Sequence, residues 1–253
     1  MADIRKIARC LINGTIFDGV IEGLDFVYAD GRIALDQVRV LAPCVPSKII
    51  GVGRNYAAHA AELNNPLPTE PLLFLKPPSA LNHHDGEVVY PIQSRQVDFE
   101  GELAVVIGAR CKNVRRGDAP SVVMGYTICN DFTARDLQRT DNQWARAKGF
   151  DGFAPLGPCI ARGVDPGALR LRTYLNGSLK QDAHISALIF GIPALIEYIS
   201  AAFTLEAGDV ITTGTPAGVG AVQPGDIVEV HVDEIGVLRN RIVGATARET
   251  RPR

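Results

Sequence analysis

Three carboxylates mark where this chain could hold a cation: Glu100 and Glu102 in Glu100-Gly101-Glu102, and Asp131 in Cys129-Asn130-Asp131-Phe132. The first two precede the apolar run Leu103-Ala104-Val105-Val106-Ile107. Side chains alternate along a strand with period two, so on a strand Glu100 and Glu102 share a face. Neighbouring anions on a buried strand repel each other and lose hydration, which is costly unless a cation lies between them. A hard divalent ion with oxygen ligands, Mg2+ or Mn2+, suits such a set. Asp131 follows the apolar stretch 124–129, and a strand end can aim it at the same ion. Three carboxylates leave about three of six octahedral positions for water or substrate. A solvated strand edge with ordinary glutamates is the other reading of the same residues.

Other groups could complete a catalytic site. His59 and Glu62 lie three residues apart on a predicted helix and therefore share a face. Glu62 could fix the tautomer of His59 and raise its basicity, leaving the other ring nitrogen to take a proton from water. A surface His/Glu pair is the alternative. Lys148 stands between the single tryptophan, Trp144, and the apolar residues Phe150, Phe153, Ala154, Pro155 and Leu156. A semi-buried lysine there could stabilise a developing enolate or deliver a proton; a solvated lysine would do neither. The segment Thr212-Thr213-Gly214-Thr215-Pro216-Ala217-Gly218-Val219-Gly220 offers amides and hydroxyls to a substrate carboxylate, or is a plain glycine-rich turn. It lacks the Gly-Lys-Ser/Thr ending of a nucleotide-phosphate loop. Gly51-Val52-Gly53 lacks the third glycine of a dinucleotide fingerprint.

The elements that must position these groups are mostly strands. Asn13-Gly14 and Asp30-Gly31 are turn signals between short apolar runs, so residues 1–46 read as a small β-meander. Pro43 and Pro46 suggest a boundary before a second segment, 47–253. There the pattern predicts strands at 48–52, 72–75, 103–108, 124–129, 210–213, 227–232 and 237–243, and a hairpin about Asn176-Gly177. It predicts helices at 55–63, with Asn55 as N-cap, at 133–140, and at 186–203, the last starting or kinking near Pro193. Residues 76–99 read as loop with at most one short strand. Strands outnumber helices and do not alternate with them, which gives an α+β, strand-rich class rather than a doubly wound parallel sheet.

Composition narrows the function. The 253 residues are 46% hydrophobic and 21% charged, enough for a large core, and the net charge of −2 with no basic cluster argues against nucleic acid. The cysteines, Cys10, Cys44, Cys111, Cys129 and Cys159, are odd in number and form no Cys-x-x-Cys pair, as expected of packing residues in a reducing compartment. Met1-Ala2-Asp3-Ile4-Arg5-Lys6 has no apolar core of a leader, and 186–203 is broken by Pro193 and Glu197. The expectation is a cytoplasmic protein with no membrane segment.

The motifs come in an order that resembles the fumarylacetoacetate hydrolase superfamily. They are Gly53-Arg54-Asn55-Tyr56, His59 with Glu62, Phe74-Leu75-Lys76-Pro77, Phe99-Glu100-Gly101-Glu102-Leu103, Asn130-Asp131-Phe132-Thr133-Ala134-Arg135-Asp136-Leu137-Gln138, Ala147-Lys148-Gly149-Phe150, and Thr213 through Gly220. The resemblance is closest to the short bacterial members called 2-hydroxyhepta-2,4-diene-1,7-dioate isomerases or acylpyruvate hydrolases, and residues 1–45 match it weakly. It implies a mixed β-sandwich roll and a homodimer. It implies Glu100, Glu102 and Asp131 as metal ligands, His59 and Glu62 as the dyad of the hydrolytic members, and Lys148 as the active-site lysine. Gln138 and Thr215 match substrate-contacting positions, and Arg135 belongs to the same shell. The activity so implied is a metal-dependent reaction on a 2-oxo acid with a pyruvate-like head: C–C hydrolysis first, isomerisation, tautomerisation or oxaloacetate decarboxylation as alternatives. A non-catalytic, metal-dependent dicarboxylate-binding protein is the alternative of another class.

Overall fold

The first four strands, Arg5–Ile12, Thr15–Glu22, Asp25–Tyr28 and Gly31–Ala34, pair antiparallel in sequence order. Their first turn is made by Asn13 and Gly14, both at positive φ, the geometry that suits a two-residue hairpin. This meander adds onto a larger sheet, because Arg5–Ile12 also pairs with Ala154–Arg162. The sheet continues through Val123–Asn130, Gly101–Ile107, Val210–Thr212, Ile49–Gly53 and Leu72–Lys76, and has twelve strands among the described residues. Every residue of Gly101–Ile107 is buried, as a central strand covered on both faces requires. The computed structural model of the chain describes residues 4–245. Residues 1–3, on which part of the leader reading rests, and 246–253, at the end of the second segment, lie outside them.

A three-stranded sheet stands beside the centre of the large one. Its order is Thr133–Ala134, Val97–Phe99, Gly220–Ala221. Each of these strands adjoins in sequence one of three neighbouring strands of the large sheet. Val97–Phe99 runs through Glu100 into Gly101–Ile107, and Val123–Asn130 runs through Asp131 and Phe132 into Thr133–Ala134. Val210–Thr212 leads through Thr213, Gly214 and Thr215 towards Gly220–Ala221. Three adjacent chains thus pass from one sheet to the other in the same lateral order. A five-stranded sheet, Ser178–His184, Arg170–Leu175, Ile227–Val232, Gly236–Gly244 and Glu87–Tyr90, completes the roll. Parallel pairs (Val210–Thr212 with Ile49–Gly53, and Gly236–Gly244 with Glu87–Tyr90) make the sheets mixed. The strand-rich α+β class expected from sequence is the one observed.

Several local expectations are corrected. Asn55 does not cap its helix, which is Ala57–Glu62 and begins after Tyr56. The Asn55 side chain is wholly buried, donates to Phe190 O and Thr213 O, and accepts from the Phe190 N–H, tying three segments together. The helix expected at 133–140 starts at Arg135, because Thr133–Ala134 is taken up by pairing with Val97–Phe99. Residues 76–99 hold three strands, Leu81–His83, Glu87–Tyr90 and Val97–Phe99. Ala154–Arg162, unread in the sequence, sits mid-sheet despite Pro155 and Pro158. Prolines argue against a central strand, but Pro158 falls where the register with Val123–Asn130 shifts. The last helix is Ile192–Ala202, with Pro193 in its first turn, where the lost N–H costs nothing. No helix among the described residues is long and apolar enough to cross a membrane. The five cysteines are free, four of them buried.

Buried Asp209 locks the parallel pair beside the crossing. It accepts from the Ser47 N–H at 3.0 Å, the Ser47 hydroxyl at 2.7 Å, the Lys48 N–H at 3.2 Å and the Glu206 N–H at 2.8 Å, and pairs with the Lys48 ammonium. Burial alone would raise its carboxyl; the Glu206 N–H, Lys48 and Ser47 outweigh it and hold the group below the usual carboxylate range. A carboxyl depressed in the folded state stabilises the fold above its unfolded value, and that contribution is lost as pH falls through the folded value. Asp209→Asn should therefore lose about 2–3 kcal/mol at pH 7. The gap to the wild type should shrink below about pH 4. Urea denaturation of both proteins at pH 7 and pH 3.5 checks this; a gap of equal size at both values would refute it.

Candidate active site

The crossing of the two sheets brings the expected acids together. One ligand oxygen from each of Glu100, Glu102 and Asp131 lies within 4.8 Å of the others, and all three residues are buried. Backbone bonds fix the junction: the Asp131 N–H donates to Glu100 O at 2.8 Å, and the Glu100 N–H to Asn130 Oδ1 at 3.0 Å. Glu100 belongs to neither flanking strand, so its nearness to Glu102 comes from the bend between sheets as well as from strand alternation.

Cations surround the cluster unevenly. Lys148 Nζ donates to Glu100 Oε2 at 2.7 Å and to Asp131 Oδ2 at 2.5 Å. Lys76 Nζ, fully buried, donates to Asp131 Oδ1 and to Phe132 O. Arg135 donates through Nη2 to Glu100 Oε1 at 2.6 Å, through Nε to Asp98 Oδ2 at 2.9 Å, and through Nη1 to Gln138 Oε1 at 2.7 Å. Glu102 receives the Gly214 N–H at 2.7 Å, and no lysine or arginine among the described residues lies within ion-pair distance of it.

The electrostatics follow from that unevenness. Burial would raise Glu100, but Lys148 and Arg135 hold it far below the usual carboxylate range. Burial, with Asp131 and Glu100 beside it, pushes Glu102 well up. Burial lowers Lys76 and outweighs the pull of Asp131, while Asp131 and Glu100 overcome burial and raise Lys148. Asp98, Glu100, Glu102 and Asp131 supply four buried acids against the three cations Lys76, Lys148 and Arg135. A divalent cation among the cluster would relieve the acid left over, Glu102, and the donor set is all hard oxygen. The residues present fit such an ion.

Beside the cluster, His59 Nδ1 lies 3.1 Å from Glu62 Oε2. The other oxygen of Glu62 accepts from the Gly218 N–H at 2.9 Å. Gly214 (φ +97°) and Gly218 (φ +101°) are both left-handed, which glycine allows at no steric cost. These two amides of the glycine-rich segment are thus spent on Glu102 and Glu62 and are not open to a substrate carboxylate, a correction to the sequence expectation. Thr215 Oγ1 donates to Gly101 O at 2.9 Å and accepts from Gln181 Nε2 at 2.7 Å, so only a lone pair remains for a ligand.

A pocket of about 350 Å³ opens over the cluster. His59, Lys148, Arg135, Gln138, Thr215 and the three acids all line it. Glu62 stands behind His59 instead. Phe74 and Trp144, edge to face with centroids 5.7 Å apart, form an apolar wall, and Lys148 Nζ lies 4.6 Å from the Phe74 ring centre. The sequence reading gave no role to Asp98, Lys76, Gln181 or Arg54. Asp98 had a signal, the same period-two spacing ahead of Glu100. Lys76 had only its place before Pro77, and Gln181 had none, since its burial depends on packing against Gly101, whose N–H it accepts at 3.0 Å.

A family model for the fumarylacetoacetate (FAA) hydrolase C-terminal region matches residues 48–243. A mitochondrial oxaloacetate tautomerase of Xenopus laevis is 40% identical over 224 residues, covering 83% of this chain and 70% of its own length. The crystal structure of 2-hydroxyhepta-2,4-diene-1,7-dioate isomerase from Mycobacterium marinum is 40% identical, with a TM-score of 0.89 over 95% of this chain and 98% of that one. Maleylpyruvate hydrolase from Sphingobium sp. SYK-6, solved with manganese(II) and pyruvate, is 30% identical, with a TM-score of 0.83 over 95% of this chain and 100% of that one. The match takes in the whole crossing, the dyad and the glycine-rich segment, and the chain belongs to the fumarylacetoacetate hydrolase family.

Proposed function

We propose that this site acts on 2-oxo or 2-enol carboxylates with a pyruvate-like head and hydrolyses the C–C bond of acylpyruvate-type substrates. The observation that carries the reading is a buried histidine, oriented by Glu62, facing the same pocket as three clustered carboxylates. The related maleylpyruvate hydrolase, solved with manganese(II) and pyruvate, supports it. Glu100, Glu102 and Asp131 would hold Mg2+ or Mn2+, and the bound ion supplies Lewis-acid polarisation of the 2-oxo group.

The remaining chemistry belongs to the chain. With Glu62 ionised, His59 Nδ1–H donates to it, and Nε2 is free to accept a proton. A water so activated attacks the distal carbonyl. The bond between that carbon and the pyruvate unit breaks, its electron pair passes to the pyruvate enolate, and the distal fragment leaves as a carboxylic acid. Lys148 stabilises the enolate charge, and His59, now carrying the proton taken from water, returns it to carbon. Arg135 accepts nothing, so Gln138 must turn Oε1 towards it and offer its amide N–H to the substrate. Arg135 itself is committed to Asp98, Glu100 and Gln138 and acts as a positioning residue.

Tautomerisation is the second reading, favoured by the oxaloacetate tautomerase at 40% identity. The same pocket would move a proton between carbon and the 2-oxygen, with Lys148 delivering it and no water attack, so that His59 is not required.

Two experiments test these readings. Chelation of divalent ions should abolish acylpyruvate turnover, and Glu102→Gln should lower kcat/KM about 100-fold or more. In chelator, Glu102→Gln should match or exceed the wild type in thermal stability, because it replaces an acid whose charged form burial, Asp131 and Glu100 already disfavour by a neutral group of the same shape; Mn2+ should raise the melting temperature of the wild type far more than that of the variant. Full turnover after chelation would refute the scheme. His59→Gln should slow C–C hydrolysis by about 10^2–10^4. Retained interconversion of keto and enol oxaloacetate in that variant would separate the two activities, and an unaffected hydrolysis rate would show that His59 is not the base.

A further inference from the structure

Gln181 is wholly buried on Ser178–His184, a strand of the five-stranded sheet, and its polar contacts run to the crossing and the glycine-rich segment. Its Oε1 accepts the Gly101 N–H at 3.0 Å, and its Nε2 donates to Pro216 O at 2.8 Å and to Thr215 Oγ1 at 2.7 Å. A backbone donor at one end and a backbone acceptor at the other leave the amide one orientation. Gly101 separates Glu100 from Glu102, and a Cβ there would lie 2.2 Å from Thr173 Oγ1 and 3.1 Å from Gln181 Oε1. A glycine at that position lets the hairpin approach the acids this closely. The consequence falls on Thr215. A hydroxyl has one hydrogen and two lone pairs. Gln181 Nε2 takes one lone pair, and the hydrogen goes to Gly101 O at 2.9 Å. The residual lone pair is what Thr215 offers to the pocket it lines. Turning the hydroxyl towards an anionic oxygen would withdraw its hydrogen from Gly101 O and forfeit a buried hydrogen bond. Donors for a carboxylate or oxo oxygen stand elsewhere in the pocket, on Lys148 and on the Gln138 amide.

We propose that Gln181 is a positioning residue that holds the Thr215 hydroxyl as a hydrogen-bond acceptor, so that the site takes the head of its substrate as the 2-enol. This rests on the reading of the site as one for 2-oxo or 2-enol carboxylates, and names which of the two tautomers binds. Both tautomers carry the carboxylate, and only the enol carries an O–H on C2. Thr215 is joined to Gly101, between two of the clustered acids, so it faces the end of the pocket where the head sits. An enol O–H there gains a bond and disturbs none of the existing ones. A 2-oxo oxygen there would set its lone pair against that of Thr215, and the mismatch counts against the keto form. Gln181 never touches the ligand; it acts by fixing beforehand which way the hydroxyl points, which spares the ordering cost on binding.

Binding can be read apart from turnover. Pyruvate and lactate share a carboxylate and an oxygen on C2, only lactate has an O–H there, and neither has a distal carbonyl to hydrolyse. Isothermal titration of the Mg2+- or Mn2+-loaded protein measures pyruvate and both enantiomers of lactate. Thr215→Val should weaken the tighter-binding enantiomer of lactate about tenfold and pyruvate less than about twofold. Thr215→Ser, which keeps the hydroxyl, should bind lactate within about threefold of the wild type. Gln181→Met, which keeps the length without the amide, should weaken lactate and spare pyruvate, and should add nothing in the Thr215→Val background. Gln181→Asn, one methylene short of Thr215, is the second variant and should behave alike. A merely structural Gln181 would weaken both ligands together. Equal loss of both ligands in Thr215→Val would show its hydroxyl donating to the carboxylate. Loss of neither would show that it serves a water or nothing. Either result, or binding of pyruvate without lactate, would overturn the proposal and leave the reading of the site in place. Failure of the wild type to bind pyruvate or lactate would overturn both. Circular dichroism and retained thermal response to Mn2+ establish that the variants are folded.

Discussion

A strand can change sheets only where its backbone hydrogen bonds pass from one set of neighbours to another, and here three adjacent strands do so side by side. Gly101–Ile107, Val123–Asn130 and Val210–Thr212 keep their lateral order as the chain passes into Val97–Phe99, Thr133–Ala134 and Gly220–Ala221. Residues at the junction have part of their backbone bonding supplied by each other: Asp131 N–H to Glu100 O, and Glu100 N–H to the Asn130 side chain. Their side chains meet in the space between the diverging sheets. That space is enclosed by apolar residues such as Phe99, Phe132 and Phe153, so charges placed there are removed from water. Everything else about the site is a response to that placement.

Taking an ion out of water costs several kcal/mol even after relaxation, and pairing returns this only with good geometry and satisfied donors. Arg135 meets those conditions, spreading its guanidinium over Asp98, Glu100 and Gln138. Lys76 meets them for one oxygen of Asp131 and Lys148 for the other. Among the described residues Glu102 has no such cation, and one backbone amide does not make up the difference. A fold under selection for stability alone would do better with hydrophobic residues of similar volume at these positions. The leftover acid is therefore an argument about binding: a divalent ion held there would recover its cost, and the ion's affinity would include that recovery.

The acids were legible in the sequence because their local setting was informative. Glu100 and Glu102 precede a run too apolar to be an exposed edge, and Asp131 ends another. The hairpin at Asn176-Gly177 and the opening turn at Asn13-Gly14 were legible because their chemistry is contained in two residues at positive φ. Other features depend on partners far away in the chain. Asn55 looks like a helix cap, and its true role is set by Phe190 and Thr213, more than a hundred residues on. Lys76 looks solvated at the end of a strand until Asp131 is placed against it. Ala154–Arg162 was obscured by its prolines, which a neighbouring shift in register accommodates. Thr133 reads as the start of a helix, and long-range pairing with Asp98 claims it for a strand. In each case tertiary context overrode a local preference of modest size.

One short segment connects the two halves of the chemistry. The Gly214 N–H holds Glu102, on the cation side, and the Gly218 N–H, four residues later, holds Glu62, which orients His59. Both glycines are left-handed, and a Cβ on Gly218 would lie 2.0 Å from Lys180 O, so the backbone there approaches the five-stranded sheet as closely as a chain can. Between them Thr215 is fixed by Gly101 and Gln181. The segment is thus pinned to all three sheets: to the crossing through Gly101 and Glu102, to the hairpin through Lys180 and Gln181, and to the small sheet through Gly220. In the proposed hydrolysis, the water at His59 must be held to a fraction of an ångström against the distal carbonyl of a substrate whose head sits at the acids. A backbone anchored at both acids supplies that tolerance better than two side chains on separate loops would. The glycines that looked like an anion cradle bind anions after all, but they are the protein's own, and the consequence is positional accuracy rather than affinity for substrate.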